Sequence, residues 1–202
     1  WNNGGQLSQT DKIGVRQFYG APAEELVAGD LDGDRRADLA LTGGLWWNTI
    51  PVAFSNGNGS FRVTNRDASP FGTYAAQPGA RPVAGDFNGD GKVDIALTGG
   101  VGWGSVPVAF SNGDGAFRIT NTTVATFPAL AAQDDVRAVA GDFNGDGKAD
   151  IALTGGFAWG GVPVAFSNGD GSFRVTNVFQ NNFSIFATQM GARPVVGDFN
   201  GD

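Results

Sequence analysis

The chain has 202 residues, with 13 Lys and Arg against 20 Asp and Glu, a net charge of −7, and neither His nor Cys. No basic stripe is present, which argues against nucleic acid as a partner, and no apolar run is long enough for a membrane span. Ser-His and Cys-His nucleophilic sites are excluded. Paired carboxylates could in principle hydrolyse glycosidic bonds, but most carboxylates lie in repeated loops, so we expect no enzyme.

In chain order, one unit recurs at a fixed interval. Asp30, Asp86, Asp142 and Asp198 are each 56 residues apart. A period of this length is typical of solenoids, propellers and arrays. The 33 Gly and 9 Pro are distributed with the same period, which indicates frequent turns and not a disordered segment.

Each repeat predicts four short antiparallel strands. The second repeat carries them in the order RPVAGDF (81–87), DIALTGG (94–100), VPVAF (106–110) and AFRIT (116–120), the last two joined by the turn sequence SNGDG. Apolar and polar residues alternate with period two, and no helical period occurs. Pro107 lacks the N–H of a strand ladder, so we expect it at a strand start or on an exposed edge. Four such strands predict an all-β protein built of propeller blades.

The repeats give one β-propeller or propeller fragment over residues 1–202. Complete blades are predicted at about 26–65, 82–121 and 138–177, with partial blades at 1–25 and 194–202. Three blades and two fragments cannot close a ring of about four to eight blades. The chain starts with Trp and without a signal peptide, so we expect a processed or excised piece. Closure then requires further repeats or a second copy of the chain.

An acidic loop follows the first strand of each repeat. Ca²⁺ takes about six to eight oxygens, which such a loop supplies from side chains at positions 1, 3, 5 and 9 and from the carbonyl at position 7. The predicted ligands are Asp30, Asp32, Asp34 and Asp38; then Asp86, Asn88, Asp90, the Lys92 carbonyl and Asp94; then Asp142, Asn144, Asp146, the Lys148 carbonyl and Asp150. Crowded carboxylates repel one another unless a cation lies among them, so we expect structural calcium. The alternative is a set of ordinary Asp-Gly turns.

Two of the four acidic loops are imperfect. In the first loop Arg35 stands at position 6, where the second loop has Gly91. This turn must therefore adopt another geometry or accept backbone strain. The fourth loop ends at Asp202 after Asp198 and Asn200, and so lacks positions 6 to 9.

Three polar or aromatic positions also recur and are candidate sugar contacts. They are Trp47, Trp103 and Trp159; Thr42, Thr98 and Thr154; and Gln77, Gln133 and Gln189. An exposed indole offers an apolar platform for the C–H face of a sugar and one N–H donor, and the neighbouring glycines would let a ligand approach the backbone. The alternatives are a Trp wedge between blades and ordinary strand threonines. Identity between repeats can also reflect recent duplication.

The DxNxDGxxD loop in a blade-length repeat resembles the FG-GAP or VCBS repeats of integrin-like propellers. The run TGG-x-x-W-G-x-VPVAFSN at 98–112 and 154–168 is similar to that of seven-bladed lectins typified by the Psathyrella velutina lectin and its Photorhabdus relatives. The first repeat departs from it at Trp46-Trp47-Asn48-Thr49. The resemblance implies several monosaccharide pockets at blade junctions, and calcium, which the fungal member holds.

The sequence thus favours a lectin that binds glycans through repeated, multivalent sites. The alternative is a structural or protein-binding propeller of the adhesion type, in which calcium only holds the blades together. A protein adapted to abundant external calcium needs no cysteine, so we expect a secreted or extracellular location.

Overall fold

The computed structural model describes residues 25–157, 159–179, 182–187, 189, 192–197 and 199. Its strands form three four-stranded antiparallel sheets, one per repeat, each ordered along the chain. The first sheet is β1 (Glu25–Gly29), β2 (Asp38–Thr42), β3 (Thr49–Ser55) and β4 (Phe61–Asp67); the second is β5 (Arg81–Gly85), β6 (Asp94–Thr98), β7 (Ser105–Ser111) and β8 (Phe117–Thr123); the third is β9 (Arg137–Gly141), β10 (Asp150–Thr154), β11 (Gly161–Ser167) and β12 (Phe173–Phe179). The prediction of all-β propeller blades is confirmed.

A one-turn helix follows the last strand of each sheet, which the sequence did not predict. The helices are α1 (Phe71–Ala75), α2 (Phe127–Ala131) and α3 (Phe183–Ala187). Five residues are too few to show a helical hydrophobic period, so the pattern carries no signal. Phe71 and Phe127 open the first two helices and are fully buried, so the turn places one aromatic ring in the core. In the described ranges no helix could span a membrane.

The expectation for Pro107 is wrong. This residue lies inside β7, the third strand of its sheet, opposite Asn121 of β8. On its other side β7 pairs with β6 only through Ala96 with Val108 and Ile95 with Ala109. The missing N–H is tolerated because the ladder between β6 and β7 begins one residue later.

Apolar side chains meet between successive sheets and form two cores. The core between the first and second sheets contains Leu31, Phe54 and Phe71 together with Ile95 and Leu97, all buried. The core between the second and third sheets has the repeat equivalents of the same residues: Phe87, Phe110, Phe127, Ile151 and Leu153. The blades therefore pack face to face, and each depends on the next for burial of its apolar surface.

Because neighbouring strands are antiparallel, their connections alternate between the two ends of each sheet. The acidic loops and the SNG-type hairpins lie at one end, which we call the acidic face. The TGG-x-x-W connections and the helices lie at the other end, which we call the tryptophan face. The metal-ligand candidates and the sugar-contact candidates are thus on opposite faces of the molecule.

Candidate functional sites on two faces

The three complete acidic loops share one backbone geometry. The Asp86 carboxylate accepts hydrogen bonds from the N–H groups of Gly89 at 2.7 Å and Gly91 at 2.7 Å. In the first loop the Arg35 N–H makes the equivalent bond to Asp30 at 2.6 Å. Arg35 has a φ of 70°, against 84° for Gly91. Of the two options left open for Arg35, the loop accepts strain and keeps its geometry.

The first acidic loop brings three carboxylates together. Oxygens of Asp30, Asp32 and Asp38 all lie within 4.8 Å of one another. The position of Asp32 is taken by Asn88 and Asn144 in the next two loops, which therefore carry one carboxylate fewer. Convergent carboxylate oxygens at this separation fit a hard cation such as Ca²⁺.

The carboxylate at position 5 instead pairs with the basic residue at position 7. The Lys92 ammonium lies 2.9 Å from Asp90, and that of Lys148 lies 3.1 Å from Asp146. Arg36 pairs with Asp34 in the same way. These loops contain part of their own counter-charge, so a bound cation would compete with the basic side chain at this position.

The aspartate at position 9 is buried beneath each loop. Asp94 accepts hydrogen bonds from the N–H groups of Phe87 at 3.0 Å and Ser111 at 2.8 Å, which joins the loop to the end of β7. Asp38 and Asp150 make the same pair of bonds in their blades. Burial, with a smaller contribution from the neighbouring carboxylates, raises the pKa of Asp94 to about 7 against the opposing effect of its hydrogen bonds. Burial likewise raises the pKa of Asp150.

Hydrogen bonds also connect the acidic loops of successive blades. The Val93 N–H donates to the Asp30 carbonyl at 2.7 Å. The Ser111 hydroxyl donates to the Leu31 carbonyl at 2.6 Å, and Ser167 makes the equivalent bond to Phe87 at 2.7 Å. The sequence analysis missed these serines, although each VPVAF-type strand ends in one. They fasten each blade to the blade before it.

On the tryptophan face, Trp103 of the second blade is half-buried and packs against the segment that joins the first blade to the second. Its indole N–H donates to the Gln77 side-chain oxygen at 2.6 Å, and the ring meets Tyr74 edge-on with centroids 5.7 Å apart. A hydrogen bond from the Trp103 backbone N–H to the Gly100 carbonyl closes a turn. The turn brings the ring against Gly100, where a Cβ would overlap it. The glycine expected to admit a ligand therefore admits the tryptophan ring itself, as Gly44 and Gly156 do for their tryptophans.

The predicted threonines lie under this face, close to the blade junctions. Thr42 and Thr98 are almost completely buried. The Thr98 hydroxyl donates to the Arg81 carbonyl at 3.5 Å. The Thr42 hydroxyl has no hydrogen-bond partner in the described part of the chain. A buried hydroxyl without a hydrogen-bond partner costs free energy of folding. A polar group bound beside it would remove this cost.

A cleft of about 280 Å³ opens at the junction that follows the third blade. It brings together Thr154 and Gln189, two of the predicted contacts, with Phe157, whose side chain is 92% exposed. Its other lining residues include Asp134, Asp135, Arg137 and Arg193, which the sequence analysis missed. Trp159 is not among the described residues that line the cleft; it packs against the core between the second and third blades. Gln133 is exposed, and its backbone N–H donates to the Leu130 carbonyl at the end of α2.

The acidic loops and the blades match a described repeat family. The FG-GAP-like repeat matches residues 30–97, 86–153 and 142–202. The chain belongs to the FG-GAP-like repeat family. No protein of curated function matches this FG-GAP-like chain by sequence.

The FG-GAP-like blades are similar to a solved structure of a lectin from Agrocybe aegerita. That structure concerns specific recognition of non-reducing terminal N-acetylglucosamine. The identity is 27% and the TM-score 0.59, over 82% of this chain and 40% of the lectin chain. The chain therefore spans less than half the length of this structural relative. The finding supports a relation to β-propeller lectins; the narrower seven-bladed lectin type remains a prediction.

Proposed function

We propose that this chain is a non-catalytic carbohydrate-binding module that takes a neutral monosaccharide, of the N-acetylglucosamine type, at a blade junction. The observation that carries the proposal is the cleft after the third blade, in which an exposed aromatic ring lies beside hydroxyl, amide and charged groups. The similarity to an N-acetylglucosamine-recognising lectin supports this ligand class. A concave site with an apolar wall and a few polar groups is the usual form of a small-molecule site.

Each group in the cleft has a distinct role in this proposal. The Phe157 ring provides an apolar surface for the C–H face of the sugar. The Thr154 hydroxyl and the Gln189 amide can each donate and accept hydrogen bonds. Asp135 and Arg137 add an acceptor and a donor at the rim. The threonine and glutamine positions recur at the other blade junctions. Wherever a further junction also binds a sugar, weak sites on one molecule would bind multivalent glycans with avidity.

Amide chemical shifts followed during titration with N-acetylglucosamine test the proposal. We expect shifts of Thr154, Gly155 and Gln189, and about tenfold weaker binding by Phe157→Ala. Phe157 is almost fully exposed, so its truncation should not unfold the protein. The exposed Val63 of β4 supplies a control, because Val63→Ala should bind as the wild type does. A chain that shows no shifts at any blade junction contradicts the proposal.

A second function remains in competition, namely a structural or protein-binding propeller. The observation in its favour is that Gln77 already satisfies the Trp103 indole N–H, as expected of a wedge between blades. The same titration discriminates the two functions, because a scaffold has no reason to respond to a monosaccharide.

We further propose that the acidic loops bind Ca²⁺ and that the ion has a structural role. The ligands would be the converging carboxylates of Asp30, Asp32 and Asp38, and their equivalents in the next two loops. The ion would neutralise carboxylates that otherwise repel one another and would hold the loop that fastens two blades together. An extracellular location agrees with such a role and is part of the proposal.

A further inference from the structure

We propose that Arg81 occupies the cleft between the second and third blades as an internal substitute for ligand, so that the repeated clefts are not equivalent. The inference rests on the carbohydrate-binding function proposed above. It identifies which of two equivalent clefts is open to a sugar and names the residue that closes the other one.

The two clefts correspond position by position along the 56-residue repeat. The open cleft contains Asp135, Arg137, Thr154, Gly155, Ala187 and Ala192. The equivalent positions one repeat earlier are Gly79, Arg81, Thr98, Gly99, Ala131 and Val136. Gly79 and Asp135 share the left-handed conformation, with φ of 80° and 64°, so the backbone walls of the two clefts match.

In the earlier cleft, the guanidinium of Arg81 reaches across the junction. It donates hydrogen bonds to the carbonyls of Val136 and of Ala131, the latter at 3.5 Å, which both precede the third blade. It also donates to the Gly79 carbonyl at 3.4 Å. One planar side chain with several donors thus satisfies three carbonyls on the cleft walls. Sugar hydroxyls would donate to the same carbonyls, so Arg81 and a sugar compete for one place.

In the later cleft the equivalent arginine, Arg137, does not occupy the position between the carbonyls. Arg137 is exposed, and its side chain makes no hydrogen bond or ion pair with the described part of the chain. The carbonyls of Ala187 and Ala192, which match those that Arg81 contacts, belong to residues that line the open cleft. The clefts differ further where Phe157 replaces Val101, which gives the open cleft its exposed aromatic wall.

The first blade supplies an independent comparison. Glu25 stands at the position of Arg81 and Arg137, and a carboxylate has no proton to donate to carbonyl oxygens. At this junction the buried Thr42 hydroxyl lacks a partner in the described ranges, whereas Thr98 has one. The first blade therefore offers no side chain at this position that could donate to the carbonyls as Arg81 does.

The test is a titration of ¹⁵N-labelled full chain with N-acetylglucosamine, read at matched amides. The wild type should show shifts at Gly155 and Gln189, and none at their equivalents Gly99 and Gln133. Arg81→Ala should add shifts at Gly99 and Gln133 without losing those at Gly155 and Gln189. Arg81→Glu should do the same, because a carboxylate has no proton to donate to these carbonyls.

Arg66→Ala is the matched control, since Arg66 is exposed, lies on β4 and forms a surface ion pair with Asp114. It should behave as the wild type does. Wild-type shifts at Gly99 and Gln133 would overturn the inference even if no variant folded. So would folded Arg81 variants that bind only at Gly155 and Gln189. A wild type without shifts at any junction instead refutes the carbohydrate-binding function, and the inference with it.

Discussion

At the scale of single residues, the recurring tryptophan combines local packing with a position near the surface. The Trp103 ring covers Gly100, touches Tyr74 and donates its N–H to Gln77. The glycine and glutamine of the repeat thus have a folding role that needs no ligand. The exposed aromatic ring of the proposed sugar site is Phe157, three residues after Thr154.

Gly100→Ala should destabilise the fold by about 1–3 kcal/mol, because the new Cβ overlaps the Trp103 ring and forces it from its place. Gly104→Ala is the control: a Cβ there meets no atom within 4 Å. Urea denaturation followed by tryptophan fluorescence measures both. Equal stabilities of the two variants would show that the ring does not rest on Gly100.

At the scale of elements, the third strand of each blade ends in a serine that fastens two blades together. Ser111 and Ser167 are buried, and each donates to a carbonyl in the acidic loop of the preceding blade. The buried aspartates Asp94 and Asp150 hold the same strand ends to their own loops. The acidic loop is therefore a structural joint between blades, whether or not it binds a metal.

Ser111→Ala should lower the free energy of unfolding by about 1–3 kcal/mol, because the Leu31 carbonyl loses its donor in a buried setting. Ser60→Ala should cost much less, because Ser60 is exposed and its hydroxyl bonds Asn56 and Asn58 within its own hairpin. Thermal and urea denaturation provide the comparison. A Ser60 variant as unstable as the Ser111 variant would contradict the joint.

At the scale of the whole molecule, the metal-ligand candidates and the sugar-contact candidates lie at opposite ends of the blades. The acidic face holds the loops that join successive blades, and the tryptophan face holds the clefts at the junctions. The two faces lie at opposite ends of the same strands. A change at the acidic face should therefore alter stability without altering the contacts of a sugar.

Removal of calcium by a chelator should lower the melting temperature, by the equivalent of about 2.7 kcal/mol for each loop whose Kd lies 100-fold below the calcium concentration. Below the melting temperature, the shifts that N-acetylglucosamine causes at Gln189 should persist. Differential scanning calorimetry and the amide titration, each with and without chelator, measure the two effects. An unchanged melting temperature would refute a structural role for calcium.

Much of this architecture follows from the sequence. The 56-residue period, the alternation within DIALT and VPVAF, and the Asn-Gly and Asp-Gly turns predict the blades, because strand period and turn chemistry are local properties. The helices beginning at Phe71 and Phe127 were missed because one turn shows no period. Pro107 was misplaced because the length of the ladder between β6 and β7 is a property of the pair and not of one strand.

In the functional surfaces, too, some features follow from local sequence and others from contacts between blades. The sequence alone determined the repeat, the acidic loops and the recurring Trp, Thr and Gln positions, since each depends on residue type and spacing within one blade. Only the tertiary structure decided that Trp103 faces its own glycine, that Thr154 and Gln189 share a cleft with Phe157, and that Arg81 fills its junction while Arg137 leaves its own open. These outcomes depend on the space between blades, where residues 50 or more positions apart in the sequence come into contact.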